Sequence, residues 1–140
     1  MIRVINGYNS EDDVEVHTIE EWQNKTGALA MINSAQYMAA PYYMPCALVI
    51  CDGQKKGPEY NKSSKGMFVA EPSPEFKNKV PLSDLLDFDY YKFDYRTTPY
   101  TQGVQHWPIL LDREGRIKTK RTSWQANRTV VAKTKDNYYD

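Results

Sequence analysis

Short apolar runs bounded by turn-forming residues constrain the fold of this chain more than any other feature. Residues 28–32 are apolar throughout and lie between Gly27 and the polar pair at 33–34, which is typical of a strand covered on both faces. Residues 47–51 repeat the pattern and end at the turn-forming pair 52–53. The sequence therefore predicts a sheet with residues 28–32 as its central strand.

Further strand and turn signals follow along the chain. Strands are predicted at 65–70, 88–95, 104–111, 116–120 and 129–132. Pro72 should end the first of these, and the segment 112–115 supplies a turn with glycine at its last position. Residues 83–87 can form one capped helical turn.

The N-terminal region predicts a hairpin and a helix. Residues 2–5 and 14–16 resemble two short strands joined by a polar turn. Thr18 and Glu21 fit a capping box, and Gly27 supplies a left-handed stop, so a helix is expected at about 19–26. The fold class is therefore α+β, with a mixed, mostly antiparallel sheet and one or two short helices.

The end of the chain bears on the domain organisation. Residues 1–140 show no repeat or linker and are expected to belong to one domain. A strand at 129–132 would keep an unpaired edge, because only a short segment follows it. We therefore expect an incomplete domain, and a second polypeptide or another copy of this chain covering that edge.

Charge and length exclude several classes of function. The 18 basic and 18 acidic side chains cancel, so there is no overall attraction to nucleic acid or to an anionic membrane. No apolar run approaches the roughly 18 residues of a membrane span. The first residues lack the pattern of a secretory leader. Either the protein is cytoplasmic or a leader was removed, so the compartment stays unknown.

Most familiar catalytic motifs do not occur. His17 and His106 lie far apart in sequence without the spacing of a zinc site, and neither a phosphate-binding glycine loop nor a serine nucleophile motif is present. Cys46 and Cys51 are five residues apart in one predicted strand, so their side chains should point to opposite faces and remain unpaired.

One local region is basic. Its cations are Arg113, Arg116, Lys118, Lys120, Arg121, Arg128, Lys133 and Lys135. Such a patch can hold a phosphate or follow a nucleic-acid backbone. It is equally compatible with a solvated strand face balanced by the acidic segment 11–21. Nucleic acid is the weakest of these partners, because the patch lacks several aromatic residues at stacking spacing.

Polar and aromatic residues near predicted strand ends are candidates for sugar binding. Asn33 follows the strand at 28–32, and Gln105 and Trp107 lie where another strand begins. Amide groups can bond sugar hydroxyls, and Trp107 or Tyr37 can stack on a pyranose ring. The 11 tyrosines and 3 tryptophans suit such a site, but also suit any strand-rich domain.

The order of several motifs resembles the phosphodiester glycosidase family. Residues 18–22 and 27–33 resemble its helix and the following strand that ends in an I-N motif. Four later segments are also similar to the family. Residues 51–54 resemble its D-G turn, and residues 61–68 resemble its N-x-x-S-G-x-F strand start. Residues 95–97 with 104–110 resemble its Y-R and Q-x-x-P-M-L segments, and residues 127–131 resemble its R-T-A motif. Two of the family's glycines are replaced, at 34–35 and 131–132, and its later D-G-G-x-S segment has no counterpart.

The resemblance implies hydrolysis of a sugar 1-phosphodiester by a chain that corresponds to the N-terminal half of such a domain. It implies that Arg128 holds the phosphodiester and that Asn33 and Gln105 orient sugar hydroxyls, with Trp107 and Tyr37 as stacking residues. Asp52 is a candidate catalytic carboxylate by position only. No cofactor is implied, and a divalent cation stays open.

A non-catalytic module on the same scaffold is the alternative. The replaced glycines and the missing acidic segment favour a domain that binds carbohydrate or another partner without cleaving it. Under both interpretations Asn33, Gln105 and Arg128 should converge on one side of the sheet.

Overall fold

The architecture is a hairpin and a helix followed by an antiparallel sheet. The structure is a computed structural model that describes residues 1–10, 13–33, 36–39, 43–88, 92–119 and 129–134. Its elements are β1 (Tyr8–Ser10), β2 (Asp13–Val14), α1 (Ile19–Thr26), β3 (Val49–Cys51), β4 (Gln54–Lys56), β5 (Gly66–Pro72), a 3-10 turn (Pro74–Phe76), β6 (Ser83–Asp87) and β7 (Tyr100–His106). The last five strands form one sheet in the order β4-β3-β7-β5-β6. The predicted α+β class is confirmed.

β7 is the central strand, and its register defines two faces. Val104 pairs with Val49 and Phe68, whereas Gly103 pairs with Ile50 and Val69. Because successive side chains alternate, these two rows lie on opposite faces, here called the back face and the core face. A Cβ on Gly103 would stand 2.5 Å from the Met67 methyl carbon, so a larger residue there would require the Met67 side chain to shift.

Most of the main hydrophobic cluster lies on the core face. Its buried members are Leu48, Ile50, Met67, Val69, Leu86 and Tyr100, and Val80, Phe88, Phe93 and Tyr95 pack against them. The covering residues come from segments outside the strands. The core is therefore closed by loops, and these loops stand at the rim of the sheet.

The N-terminal segment crosses the back face. The Val4 amide donates to the Gln102 side-chain oxygen at 2.8 Å, and the Cys51 thiol donates to the Val4 carbonyl at 3.1 Å. Ile109 covers the same face farther along, since a Cβ on Gly66 would stand 3.0 Å from its Cγ1. The central strands are thus buried on both sides.

The helix matches its prediction. Thr18 adopts an extended conformation, its hydroxyl accepts the Glu21 amide, and the Glu21 carboxylate accepts the Thr18 amide. Gly27 ends the helix with φ of 67°. The turn at 52–53 and the turn closed by Gly115 also occur as predicted, the latter joined by a Leu111–Ile117 bridge. Both cysteines are free thiols, as expected.

The predicted central strand is wrong. Residues 28–32 form no strand, and the side chains of Leu29 and Ile32 are exposed by 100% and 58%. The central position belongs to β7, whose Gln102 and Gln105 are buried with their amides hydrogen-bonded. A run of apolar residues does not by itself identify the central strand, because side-chain amides can also be buried there when they are hydrogen-bonded.

Other boundaries also differ from prediction. Residues 83–87 are a strand, because they pair with β5 over their whole length. Residues 129–132 and the described part of 88–95 form no strand, and 89–91 lie outside the described residues. The edge expected at 129–132 therefore does not exist; the outer strands of the sheet are β4 and β6. The N-terminal hairpin begins later than predicted, because residues 2–5 cross the back face instead.

Candidate functional site

A cleft of about 270 Å³ opens where β3 begins, on the core face of the sheet. Its lining residues are Leu48, Glu59, Tyr60, Phe93, Asp94, Tyr95 and Arg96. Leu48 forms a buried floor, and the other residues come from the loop after β4 and the loop before β7. We call this the aromatic cleft. Its volume lies just below the usual range of about 300–1,000 Å³ for small-molecule sites.

Gln105 fixes one wall of the aromatic cleft. Its side-chain oxygen accepts the amides of Leu48 at 3.1 Å and Asn61 at 3.0 Å. Its side-chain nitrogen donates to the carbonyls of Asn61 at 2.8 Å and Ser64 at 2.6 Å. This buried amide therefore ties the loop that carries Glu59 and Tyr60 to the start of β3.

The same loop is also held by its own side chains. Asn61 donates to the Cys46 carbonyl at 3.1 Å and accepts the Ser63 amide at 2.9 Å. The second contact is an Asx turn, which asparagine favours because its side chain mimics a backbone carbonyl. The loop is consequently ordered up to the residue next to Tyr60.

A row of rings forms the aromatic wall. The Tyr60 and Phe88 ring centroids are 5.6 Å apart, and Phe88 stacks on Phe93 at 5.4 Å. The three rings stabilise one another and the core beneath them. Tyr60 retains 40% exposure, so part of its ring faces the solvent at the mouth of the cleft.

Charged groups surround Tyr95 at the other side of the cleft. Glu59 Oε1 accepts from the Tyr95 hydroxyl at 3.2 Å and from Arg96 at 3.1 Å. Arg96 also contacts Asp94 at 3.5 Å, and its guanidinium lies 4.7 Å from the Tyr95 ring centroid. Lys55 Nζ lies 5.7 Å from the same centroid. The Tyr95 oxygen and the two carboxylates raise the pKa of Arg96, so it remains a cation.

A second hollow of about 330 Å³ lies beside β5. Its residues are Glu71, Pro72, Lys77, Val80 and Leu82. The Glu71 carboxylate already accepts the Ile2 amide at 2.6 Å, and Glu71 has a positive φ of 54°. This hollow offers no ring to stack on, so the aromatic cleft is the stronger candidate for a binding site.

The predicted catalytic candidate Asp52 lies away from the aromatic cleft. It occupies the turn between β3 and β4 with φ of 50° and accepts from Gln102 at 2.8 Å. Arg3 stands 3.8 Å from the same oxygen. Because Asp52 is at the opposite end of β3 from Leu48, it is roughly 13 Å from the cleft floor. The structure does not bring Asp52 and Gln105 together.

The other predicted substrate-binding residues are scattered. Asn33 and Trp107 are exposed, and Trp107 follows β7 at the same end of the sheet as the aromatic cleft. The Tyr37 hydroxyl lies 3.5 Å from the Asn6 side chain, and burial raises its pKa. Arg128 lies outside the described residues, so its convergence with Asn33 and Gln105 stays a prediction.

Several cations of the basic region form ion pairs. Arg116 contacts Asp112 at 2.7 Å and Glu114 at 2.9 Å. Lys118 contacts Asp87, and Lys133 contacts Asp84, each at 3.1 Å. These pairs favour the solvated-face interpretation of this part of the region. Residues 120–128 and 135 lie outside the described residues.

The sequence did not single out Glu59, Tyr60 or Tyr95 as site residues. The motif at 95–97 supplies Tyr95 and Arg96, and the motifs at 61–68 and 104–110 supply the neighbouring Asn61 and Gln105. Among the described residues, no group of three or more histidine, cysteine or acidic side chains is arranged to hold a metal ion. Within the same ranges, no helix is long and apolar enough to cross a bilayer.

Comparisons with protein-family models, curated proteins and solved structures find no match to this chain.

Proposed function

We propose that this protein binds carbohydrate in the aromatic cleft. The observation that carries the proposal is the half-exposed Tyr60 ring facing the same small cleft as the hydrogen-bonding groups of Arg96, Glu59 and Asp94. Sugar rings present an apolar face that stacks on aromatic rings and a rim of hydroxyls that both donate and accept. A cleft of about 270 Å³ suits one sugar unit, with further units extending into solvent.

A matched pair of tyrosine variants tests this proposal. Tyr60 and Tyr37 are exposed by 40% and 41%, but only Tyr60 lines the aromatic cleft. Calorimetric titration with a panel of neutral oligosaccharides should detect binding by the unmodified protein. Tyr60→Ala should weaken that binding by about tenfold, because the variant loses the aromatic face on which the sugar ring stacks; stacking of a nucleic-acid base on one such ring contributes about 1–3 kcal/mol. Tyr37→Ala should bind normally.

The reverse order of effects would contradict this assignment. If Tyr37→Ala lost binding while Tyr60→Ala retained it, the sugar would lie at the residue predicted from the sequence instead. Circular dichroism of both variants controls for unfolding, because Tyr60 also packs on Phe88.

Hydrolysis of a sugar 1-phosphodiester is a second candidate function. It is supported by the resemblance to phosphodiester glycosidases and by one structural observation: two of the resembling segments, 61–68 and 95–97 with 104–110, meet beside the aromatic cleft. Gln105 bonds Asn61 and Ser64, and Arg96 bonds Glu59 beside them. In this proposal Asn33 and Arg128 bind the substrate and Asp52 is the catalytic carboxylate, whereas Gln105, predicted as a third substrate-binding residue, is buried with its amide used in four hydrogen bonds and positions the loop of the aromatic cleft instead.

Asp52→Asn tests the second candidate. The amide keeps the short side chain that tolerates the left-handed turn, so the fold should be retained. A release assay with an N-acetylglucosamine 1-phosphodiester should show turnover by the unmodified chain and at least about a hundredfold less by the variant if Asp52 performs acid-base chemistry. Equal turnover would exclude that role for Asp52.

Self-association or binding of a second polypeptide also remains a proposal. β4 is a three-residue edge strand with Lys55 at its centre, and Lys118 and Lys133 contact the acidic residues of β6. Such features discourage pairing at a sheet edge. Light scattering over a range of protein concentrations tests whether these edges pair with another chain.

A further inference from the structure

Glu59 links the polar groups of the aromatic cleft. A single oxygen, Oε1, accepts from both the Tyr95 hydroxyl and Arg96, at 3.2 and 3.1 Å. The Glu59 and Arg96 side chains are exposed by 57% and 59%, so both reach the solvent at the mouth of the cleft. Any ligand that approaches Arg96 therefore meets the Glu59 carboxylate as well.

Among the described residues, the charges at this mouth balance. Arg96 and Lys55 are the cations close to the Tyr95 ring, and Glu59 and Asp94 are the anions in contact with Arg96. A phosphate group bound to Arg96 would stand beside two carboxylates that already hold the guanidinium. The negative phosphate and the two carboxylates would repel each other. If the phosphate instead displaced Glu59, the hydrogen bond between Glu59 and Arg96 would be lost.

The remaining hydrogen-bonding capacity suits uncharged hydroxyls. Arg96 donates one N–H group to Glu59 and one to Asp94 and also interacts with the Tyr95 side chain, so its five-donor guanidinium keeps further donors for a ligand hydroxyl. Glu59 Oε2 likewise receives no donor from the described part of the chain. One donor group and one acceptor group side by side match two neighbouring sugar hydroxyls.

We infer that the aromatic cleft selects uncharged sugars over sugar phosphates, and that Glu59 is the residue that determines this specificity. The inference rests on the proposed carbohydrate function and defines its ligand class. Removing the Glu59 charge leaves Arg96 with one fewer anionic partner and gives the cleft mouth a net positive charge. Glu59→Gln therefore admits a sugar phosphate that the unmodified protein rejects.

A matched pair of substitutions tests the inference. Glu59→Gln removes a carboxylate that contacts Arg96 in the cleft. Glu114→Gln is the control: its carboxylate contacts Arg116 at 2.9 Å in the loop at 112–116, and the Glu114 side chain is 53% exposed. Each protein is titrated with N-acetylglucosamine and with N-acetylglucosamine 1-phosphate, followed by NMR chemical shifts of the cleft amides. Low ionic strength keeps the charge effect measurable.

The expected result is a change of preference in one variant only. The unmodified protein and Glu114→Gln should bind the neutral sugar about tenfold or more tightly than its phosphate, as expected for a site that places like charges together. Glu59→Gln should bind the phosphate about tenfold more tightly than the unmodified protein does, and this gain should fall with added salt.

Two contrary results separate the inference from the function beneath it. If the neutral sugar binds in the cleft but Glu59→Gln leaves the ratio of the two affinities unchanged, the specificity role of Glu59 is wrong and carbohydrate binding stands. If neither sugar shifts the cleft amides in any of the three proteins, the carbohydrate function itself is wrong and the inference fails with it.

Discussion

At the residue scale, the two buried glutamines of β7 decide which loops lie against the sheet. Gln102 and Gln105 are each 2% exposed and, being three residues apart, point to opposite faces. Gln102 binds the Val4 amide and Asp52 on the back face. Gln105 binds the loop of the aromatic cleft on the core face. Each side-chain amide supplies hydrogen bonds to backbone groups of these irregular segments, which have no strand partner to bond them.

Replacing Gln105 should destabilise the protein strongly. Gln105→Leu removes four hydrogen bonds and leaves the buried amide of Leu48 without its side-chain partner. We expect a loss of about 3 kcal/mol in the free energy of unfolding, measured by urea denaturation, because unsatisfied buried polar groups cost about 1–3 kcal/mol each. The control Asn33→Ala changes an exposed residue and should stay within about 0.5 kcal/mol. A similarly small effect of Gln105→Leu would contradict the role given to this amide.

His106 should make stability depend on pH. Burial lowers its pKa below the ordinary value of about 6.5, since the charged imidazolium loses hydration. The unfolded chain therefore binds a proton at higher pH than the folded chain does. The free energy of unfolding should fall as the pH drops from 7.5 through about 6.5, and this contribution is fully present only above that pH.

Denaturant titrations of the unmodified protein and His106→Gln measure this contribution. The variant cannot bind the proton, so its stability should change less over the pH range from 7.5 to 5.5. Identical pH dependence in the two proteins would show that His106 is not the group responsible.

At the element scale, the parts that depend on local chemistry could be predicted from the sequence. The bounds of α1 follow from Thr18, Glu21 and Gly27, whose interactions span only a few residues. The 28–32 run and the 83–87 segment were assigned wrongly, because their states depend on pairing with distant strands. β6 is a strand because β5 pairs with it, although its own residues also suit a capped turn.

The capping box of α1 should act locally. None of the residues of α1 is buried, so the helix is stabilised mainly by its caps and by contacts of exposed side chains, such as Lys25 with Glu15 at 2.5 Å. Thr18→Ala should destabilise the helix by about 1 kcal/mol. Hydrogen exchange should accelerate in the first turn of α1, while the amides of β7 should exchange at their original rates.

The opposite pattern would contradict this account of α1. If Thr18→Ala accelerated exchange in β7 as much as in the helix, folding of the helix and the sheet would be coupled. Glu20→Ala is the matched control, because Glu20 lies in the same turn but takes no part in the capping box.

At the scale of the whole molecule, the candidate site is assembled from distant parts of the chain. Leu48, the pair 59–60 and the segment 93–96 lie in three regions that only the register of the sheet brings together. The sequence motifs indicated Gln105 and the segment at 95–97, but gave no means of placing one beside the other. Asp52, a candidate by position only, lies at the far end of β3 from the residues that Gln105 binds. Sequence patterns therefore predict turns and helix caps, which depend on neighbouring residues. They do not predict a site of this kind, because its residues come together only when distant strands pair.

Chemical-shift mapping of a sugar titration tests the carbohydrate function most directly. Backbone amides of the unmodified protein are followed during addition of a neutral N-acetylglucosamine disaccharide. Our account predicts saturable shifts confined to Leu48, the pair 59–60 and the segment 93–96, with little change at Asp52 or Tyr37. Saturable shifts centred on Asp52, Tyr37 or Asn33, with the aromatic cleft unchanged, would contradict it.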